Sequence, residues 1–339
     1  MALDPNIQHL DLMKELRPAD RMAAGGNLAA WQKEKRALLS DLLGIQHCIP
    51  VADAHFTIDY VKELDNCTET RFLFESEPGV TVVAYLRVPK GVKETLPVVI
   101  CLQGHAKGAH ISLGQPKYPG DEETIHGGDR DFAVQIIARG QAALAIEQRG
   151  FGERGGTPEG PQCYQPAVQA MLLGRTLIGE RCWDISRTID LLPAHFPQLD
   201  MNRIAIMGNS GGGTASIYAA ALDERIAACM PSCALSGFMP PIGAQYHCLS
   251  NYIPDNMNHF DMGDLAGLIA PRPFIAINGL YDGIFPIDSA KEQVEVARIY
   301  YAAADAEKNL RHITGPEGHR FYAALGWPVF DELTGWKEN

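Results

Sequence analysis

Residues 208–212 read Gly208-Asn209-Ser210-Gly211-Gly212, a Gly-x-Ser-x-Gly pentapeptide. The apolar run Ile204-Ala205-Ile206-Met207 leads into it, and Thr214 to Leu222 continues from it as a good helix. In a strand–turn–helix setting the turn is so tight that the serine is strained and its hydroxyl points away from the sheet. Gly208 and Gly212 let neighbouring chain come close, because neither carries a Cβ. The N–H of Gly211 stands at the head of the helix, where unpaired donors and the helix dipole favour a negative oxygen. One segment thus offers a nucleophile and half of an oxyanion hole.

A serine hydroxyl attacks a carbonyl well only when a base takes its proton. In this setting the partners follow in the order serine, acid, histidine. The run Phe274-Ile275-Ala276-Ile277-Asn278-Gly279-Leu280-Tyr281-Asp282 is a strand leading into a loop. It puts a carboxylate just past a strand's C-terminal end, where open α/β sheets bind ligands. Leu310-Arg311-His312-Ile313-Thr314-Gly315-Pro316-Glu317-Gly318-His319 repeats the arrangement with an imidazole. The pattern predicts Ser210 as nucleophile, His319 as general base and Asp282 as the group that holds the ring tautomer. Asp288 borders the next helix start and reads as part of its cap. Glu317 shares the histidine's own loop, and His312 alternates within a strand. Both rank below the chosen pair.

A second oxyanion donor is expected in Leu102-Gln103-Gly104-His105-Ala106-Lys107-Gly108, where Gly104 permits an unusual turn. The N–H of either Gln103 or His105 would point inward, and such a donor is worth about 3 kcal/mol in the transition state. Glu147-Gln148-Arg149-Gly150-Phe151-Gly152-Glu153-Arg154 follows another strand at the same edge. Its charges are expected to pair with one another rather than with a substrate.

The elements that must position these groups follow from periodicity. Residues 1–50 read as a helical extension packed on the main body, with Gly44 ending its second half. Phe56–Val61, Thr70–Ser76 and Val80–Val88 alternate apolar and polar residues, and Pro78-Gly79 turns the last two into a hairpin. From Pro97 onward, continuous apolar strands alternate with amphipathic helices, including one carrying Ile178, Cys182, Ile185, Ile189 and Leu192. Ser289-Ala290-Lys291-Glu292 fits a capping box at the start of a later helix. The expected fold is α/β: a mostly parallel central sheet, helices on both faces, and an antiparallel N-terminal hairpin. Residues 233–270 form the longest irregular stretch and are expected to build a pocket wall. Phe238, Tyr246 and Tyr252 within it are candidate substrate contacts.

Bulk properties narrow the classes. The 339 residues are 46% hydrophobic and 21% charged, a globular composition. A formal net charge of −12 argues against nucleic acid or an anionic membrane as partner. No apolar stretch approaches the roughly 20 residues that span a bilayer. The opening Met1-Ala2-Leu3-Asp4-Pro5-Asn6 has no basic-then-apolar pattern, so a cytoplasmic location without a signal peptide is expected. The eight cysteines (48, 67, 101, 163, 182, 229, 233 and 248) form no Cys-x-x-Cys. Their scatter reads as reduced structural thiols, with no zinc or other metal site. The sequence leaves a homo-oligomer open.

Several of these segments carry a resemblance: Gln103-Gly104-His105, Gln148-Arg149-Gly150-Phe151-Gly152-Glu153, Cys182-Trp183-Asp184-Ile185-Ser186-Arg187, Gly208-Asn209-Ser210-Gly211-Gly212-Gly213, Leu268-Ile269-Ala270-Pro271-Arg272-Pro273 and Glu317-Gly318-His319. With them the chain resembles the α/β-hydrolase superfamily, in its acetyl xylan esterase-like and dienelactone hydrolase-like branch, from about residue 97 onward. The resemblance implies a single hydrolase domain over 51–339 and a serine esterase that needs no cofactor. It carries nucleophile, acid and base onto Ser210, Asp282 and His319. Dienelactone hydrolases proper use a cysteine, so Ser210 favours simple ester hydrolysis over lactone opening. A small ester, such as an acetylated sugar, is the expected substrate. The rival readings are a peptidase of the prolyl-oligopeptidase type and an inactive binding scaffold. The first lacks a propeller domain here, and the second would have no use for three intact catalytic side chains.

Overall fold

Alternating runs make the edge of the sheet, and continuous apolar runs make its centre. The structure, a computed structural model, describes residues 3–23, 25–92 and 94–336. The strands β1 (Thr57–Glu63), β2 (Cys67–Glu77) and β3 (Val80–Pro89) form an antiparallel edge, with residues 78–79 turning β2 into β3. Six further strands run parallel: β4 (Leu96–Leu102), β5 (Ala142–Ile146), β6 (Leu199–Asn209), β7 (Ile226–Ser232), β8 (Phe274–Gly279) and β9 (Leu310–Gly315). Their order in the sheet is β1-β2-β3-β5-β4-β6-β7-β8-β9, with β3 antiparallel to β5.

Period-two alternation sends neighbouring residues of one strand to opposite cores. Ile100, Leu144, Ile204 and Ile206 join one apolar cluster, while Cys101, Ala145, Ala205 and Met207 join the other. The first face is covered by four helices: α1 (Leu28–Leu43), α2 (Leu177–His195), α3 (Gly211–Leu222) and α4 (Met262–Ile269). Between them they place Leu39, Ile185, Ile217 and Leu265 in that cluster. α5 (Ile287–Ala303) adds Val294 and Tyr300 to it. The opposite face is covered by the short helix at Phe132–Ile137 and by α6 (Ala323–Thr334), through Phe132, Ile136, Trp327 and Phe330. Each fully buried Ile or Phe contributes about 1.5–3 kcal/mol. Truncating Ile206 to Ala would cost about 2–5 kcal/mol.

The N-terminal extension docks through α1. Trp31 packs on Tyr300 with ring centroids 4.4 Å apart, and Arg21 pairs with Asp264 at 2.8 Å. Two expectations change. The 233–270 stretch is not irregular throughout: α4 fills part of it, opened by a capping box of Asp261 and Asp264. The box expected at Ser289–Glu292 does not form. α5 starts three residues earlier than that box implies, at Ile287, and the Ser289 hydroxyl instead accepts the Gly237 N–H at 2.9 Å. A tertiary hydrogen bond has taken the side chain that the local pattern assigned to the helix end.

Candidate active site

Ser210 ends β6 and precedes α3 with φ 56° and ψ −124°. A non-glycine residue held there stores about 1–3 kcal/mol of strain, so its surroundings must fix it. The Ser210 N–H donates to Ser232 O at 2.8 Å, and Asn209 Nδ2 donates to the same oxygen at 3.2 Å. A Cβ on Gly104 would stand 2.7 Å from Asn209 O, and one on Gly212 would overlap the carbonyls of Leu102 and Gln103. Only glycine at 104 and 212 lets the loop after β4 lie against this turn.

Asp282 and His319, just past the ends of β8 and β9, meet directly: His319 Nδ1 and Asp282 Oδ2 are 2.8 Å apart. Asp282 Oδ1 accepts the N–H groups of Ile284 at 2.8 Å and Phe285 at 3.1 Å. Burial opposes the carboxylate's charge, but the bonds from His319 and from these N–H groups hold its pKa below the ordinary value. The Asp282 side chain is fully buried, and that of His319 is 20% exposed. The ring of Phe285 lies nearly parallel to that of His319, with centroids 6.0 Å apart. Arg130 ties this pair to the serine turn: its Nε donates to Asn209 Oδ1 at 3.0 Å and its Nη2 to His319 O at 3.1 Å. Among the described residues neither the Ser210 hydroxyl nor His319 Nε2 has a hydrogen-bond partner. Such contacts often tighten only when substrate arrives.

The competitors are engaged elsewhere. Glu317 pairs with Arg320 at 3.0 Å, Asp288 with Lys291 at 3.3 Å, and His312 with Asn278 at 3.2 Å. Two residues at the site carry no sequence signal. Arg130 comes from a loop and has no carboxylate partner among the described residues. Cys233, at φ 46°, lies with its sulfur within 4.8 Å of ligating atoms of Asp282 and His319. Burial and the Asp282 charge push its thiol up to about 12.

His105 N lies 3.8 Å from where a Cβ on Gly211 would stand, so the loop after β4 runs beside the start of α3. Gln103 serves the loop's support: its carbonyl accepts from Gln148 Nε2 at 2.8 Å, and its amide donates to Glu147 at 3.0 Å. A cavity of about 410 Å³ opens over Ser210 and Gly211, walled by His105, Phe151, Tyr246 and Cys248. Hollows of about 840 and 950 Å³ lie elsewhere, and neither is lined by Ser210, Asp282 or His319. Of the three aromatic candidates, only Tyr246 reaches the Ser210 cavity. Phe238 is buried in the core, and the Tyr252 hydroxyl donates to Ile242 O at 2.8 Å. Those two line a separate hollow with Met13 and Met257. Apolar packing claims them, whereas the exposed Tyr246 is free to face solvent and cavity. The charges of 147–154 do not pair with one another: Arg149 and Arg154 reach Asp184 on α2, and Glu153 reaches Arg71 on β2, so the segment's ion pairs are made across the fold rather than within the loop.

A parallel sheet with a strained serine turn and an acid–histidine pair at its C-terminal edge defines an α/β-hydrolase. The chain belongs to the acetyl xylan esterase (AXE1) family, whose profile matches residues 51–239, more than half its length. It is thereby a carboxylic ester hydrolase. YtaP of Bacillus subtilis (strain 168), a proposed hydrolase, is 26% identical over 311 residues, covering 89% of this chain and 99% of YtaP. A proposed acetyl xylan esterase from Bacteroides fragilis NCTC 9343 superposes with a TM-score of 0.76 at 15% identity, over 97% of this chain and 84% of that one. A glucuronoyl esterase from Solibacter usitatus gives 0.65 at 15% identity, over 96% and 100%. At 15% identity the likeness of these two structures is one of fold. No helix among the described residues is long and apolar enough to cross a membrane.

Proposed function

We propose that the chain hydrolyses a small carboxylic ester through an acyl-enzyme on Ser210. His319 Nε2 takes the Ser210 proton as the oxygen attacks the acyl carbon and returns it to the departing alcohol. Water, activated by the same imidazole, then releases the acid. Asp282 holds the Nδ1–H tautomer and stabilises the imidazolium. The N–H groups of Gly211 and His105 receive the developing oxyanion. The Asp282–His319 bond of 2.8 Å carries this reading, because Arg130 ties His319 to the residue before Ser210. The cavity of about 410 Å³ suits an acetyl group on a sugar-sized alcohol, with Tyr246 as a stacking face.

Ser210→Ala tests the reading directly. Turnover of p-nitrophenyl acetate and labelling by a fluorophosphonate are both expected to vanish in that variant. Wild-type turnover that persists without Ser210 would overturn the assignment. Faster cleavage of an aminoacyl amide than of an acetyl ester would move the chain to the peptidases.

A further inference from the structure

Cysteine spacing in the chain offers no metal site, yet folding creates a convergence that spacing does not encode. His105 lies in the loop after β4, Cys163 precedes the helix Tyr164–Leu172, and Cys248 opens a short turn at Leu249–Asn251. One ligating atom from each lies within 4.8 Å of the other two. All three side chains line the cavity that holds Ser210. Two sulfurs and one imidazole suit zinc, which binds thiolate and histidine at about 2.0–2.3 Å and so gathers its ligand atoms to within about 4 Å of one another. Small side-chain adjustments reach that spacing.

Arg181 is a second and independent observation. It is 1% exposed and has no carboxylate partner among the described residues. Its Nη2 donates to Cys163 Sγ at 3.3 Å and to Arg149 O at 2.7 Å, while its Nη1 is buried without a partner. Its guanidinium lies 4.4 Å from the centroid of the Phe151 ring. A buried cation needs a compensating negative group. The one sulfur to which Arg181 donates is that of Cys163, and an N–H donor beside a ligating sulfur is how proteins orient and tune metal ligands.

We infer that His105, Cys163 and Cys248 form a zinc site whose fourth coordination position opens into the Ser210 cavity. The ion's open position and the ester occupy the same space, and His105 also supplies a backbone N–H beside Gly211. Bound zinc therefore inhibits ester turnover. That consequence rests on the proposed esterase reading, whereas the binding itself does not.

The experiment separates the two. The full chain, with thiols kept reduced by a phosphine, is dialysed against zinc chloride and the bound metal counted. One zinc per chain is expected, and the Cys163→Ser/Cys248→Ser pair should weaken it by at least about tenfold. Cobalt in place of zinc should give a thiolate-to-metal absorption band that the pair of substitutions removes. Should that variant fail to fold, zinc must slow iodoacetamide labelling of Cys248 in the wild-type chain. The inference is overturned by absence of stoichiometric zinc, by equal labelling of Cys248 with and without zinc, or by zinc that survives both serines. A disulfide between 163 and 248 that resists the phosphine would overturn it too. Zinc binding by a chain that, once stripped of zinc, still shows no ester turnover would instead overturn the proposed function and leave the metal site standing.

Discussion

Two neighbouring regions at the strand ends treat charge in opposite ways. Behind β5, Arg149 meets Asp184 at 2.8 Å, Glu77 at 2.9 Å and Glu180 at 3.1 Å. Arg154 meets Asp184 at 2.7 Å, and Arg175 meets Glu77 at 2.9 Å. The Ser76 hydroxyl donates to Asp184 at 2.6 Å. Every member of that lattice has opposite charge on it. Around Ser210, half-buried Arg130 and buried Arg181 have no carboxylate partner among the described residues, Ser210 and Cys233 hold positive φ, and His319 Nε2 has no hydrogen-bond partner among them. A fully partnered lattice has one low-energy arrangement and fixes the fold. Unspent donors and acceptors at a cavity wall are what a ligand can engage. The contrast separates residues whose loss should unfold the chain from those whose loss should only silence it.

The largest effects should divide along that line. Asp282→Asn keeps an oxygen for the Ile284 and Phe285 N–H groups but inverts the preferred tautomer of His319. Ester kcat should fall by about 10⁴-fold with the urea midpoint near wild type. Asp184→Ala should do the reverse. It strands Arg149 and Arg154 in a buried setting, at a cost of about 3–5 kcal/mol. The kcat of the remaining folded molecules should stay close to wild type. A large midpoint loss in Asp282→Asn, or a large kcat loss in Asp184→Ala, would erase the distinction.

Protonation gives a finer test, because two buried carboxyls are shifted in opposite directions from their ordinary values. For Asp184, burial favours the acid form, but Arg154 and Arg149 outweigh it and hold the pKa at about 2, below the ordinary 3.8. The native state then binds fewer protons than the unfolded chain, so this stabilisation is present above pH ~4 and lost as pH falls toward ~2. Glu147 has no guanidinium hydrogen-bonded to its carboxyl among the described residues. Burial raises its pKa from 4.5 to about 7 despite the Ala109 N–H. Here the native state binds more protons, so stability falls as pH rises from about 4.5 through about 7. Glu147→Gln should remove that decline. Measured by urea midpoints between pH ~5 and ~8, the variant should lose on the order of 2–3 kcal/mol less than the wild type, with a smaller decline left from Asp261, which burial raises to about 6. The Gln103 side-chain oxygen, buried without a donor, can accept from the new amide. A wild-type midpoint that does not move over this range would mean that Glu147 is ionised throughout.

What could be read from the chain, and what could not, follows from where each signal lies. The placement of Ser210, Asp282 and His319 past the ends of β6, β8 and β9 was legible because each follows an apolar strand, and strand ends are ordered by topology. Parallel strands β4 to β9 were legible because burial on both faces leaves no polar alternation. Arg130 was not, since its loop has no periodicity and its role depends on Asn209 and His319 arriving together. The meeting of His105, Cys163 and Cys248 was hidden for the same reason: the three lie far apart in the chain and no short spacing links them. Phe238 and Tyr252 show the converse failure. Residues 245–251 of that segment line the Ser210 cavity, but aromatic composition does not say which ring turns inward. Ser289 satisfied a local pattern that the Gly237 N–H then overrode.

The smallest expected effect sharpens the choice between two aspartates six residues apart, Asp282 in the β8–α5 connection and Asp288 in the first turn of α5. Asp282 and Asp288 both lie beyond a strand end, and either carboxylate has the chemistry to orient an imidazole. Their surroundings differ. Asp282 has a fully buried side chain bonded to His319, whereas the Asp288 side chain is 89% exposed and paired only with Lys291 at 3.3 Å. An exposed pair of that kind is screened by water and contributes little. Asp288→Asn should therefore leave both kcat and the urea midpoint unchanged within error, in a chain where Asp282→Asn removes nearly all turnover. A tenfold loss of kcat from Asp288→Asn would mean that the connection moves during turnover and that the acid bonded to His319 at rest is not the one used.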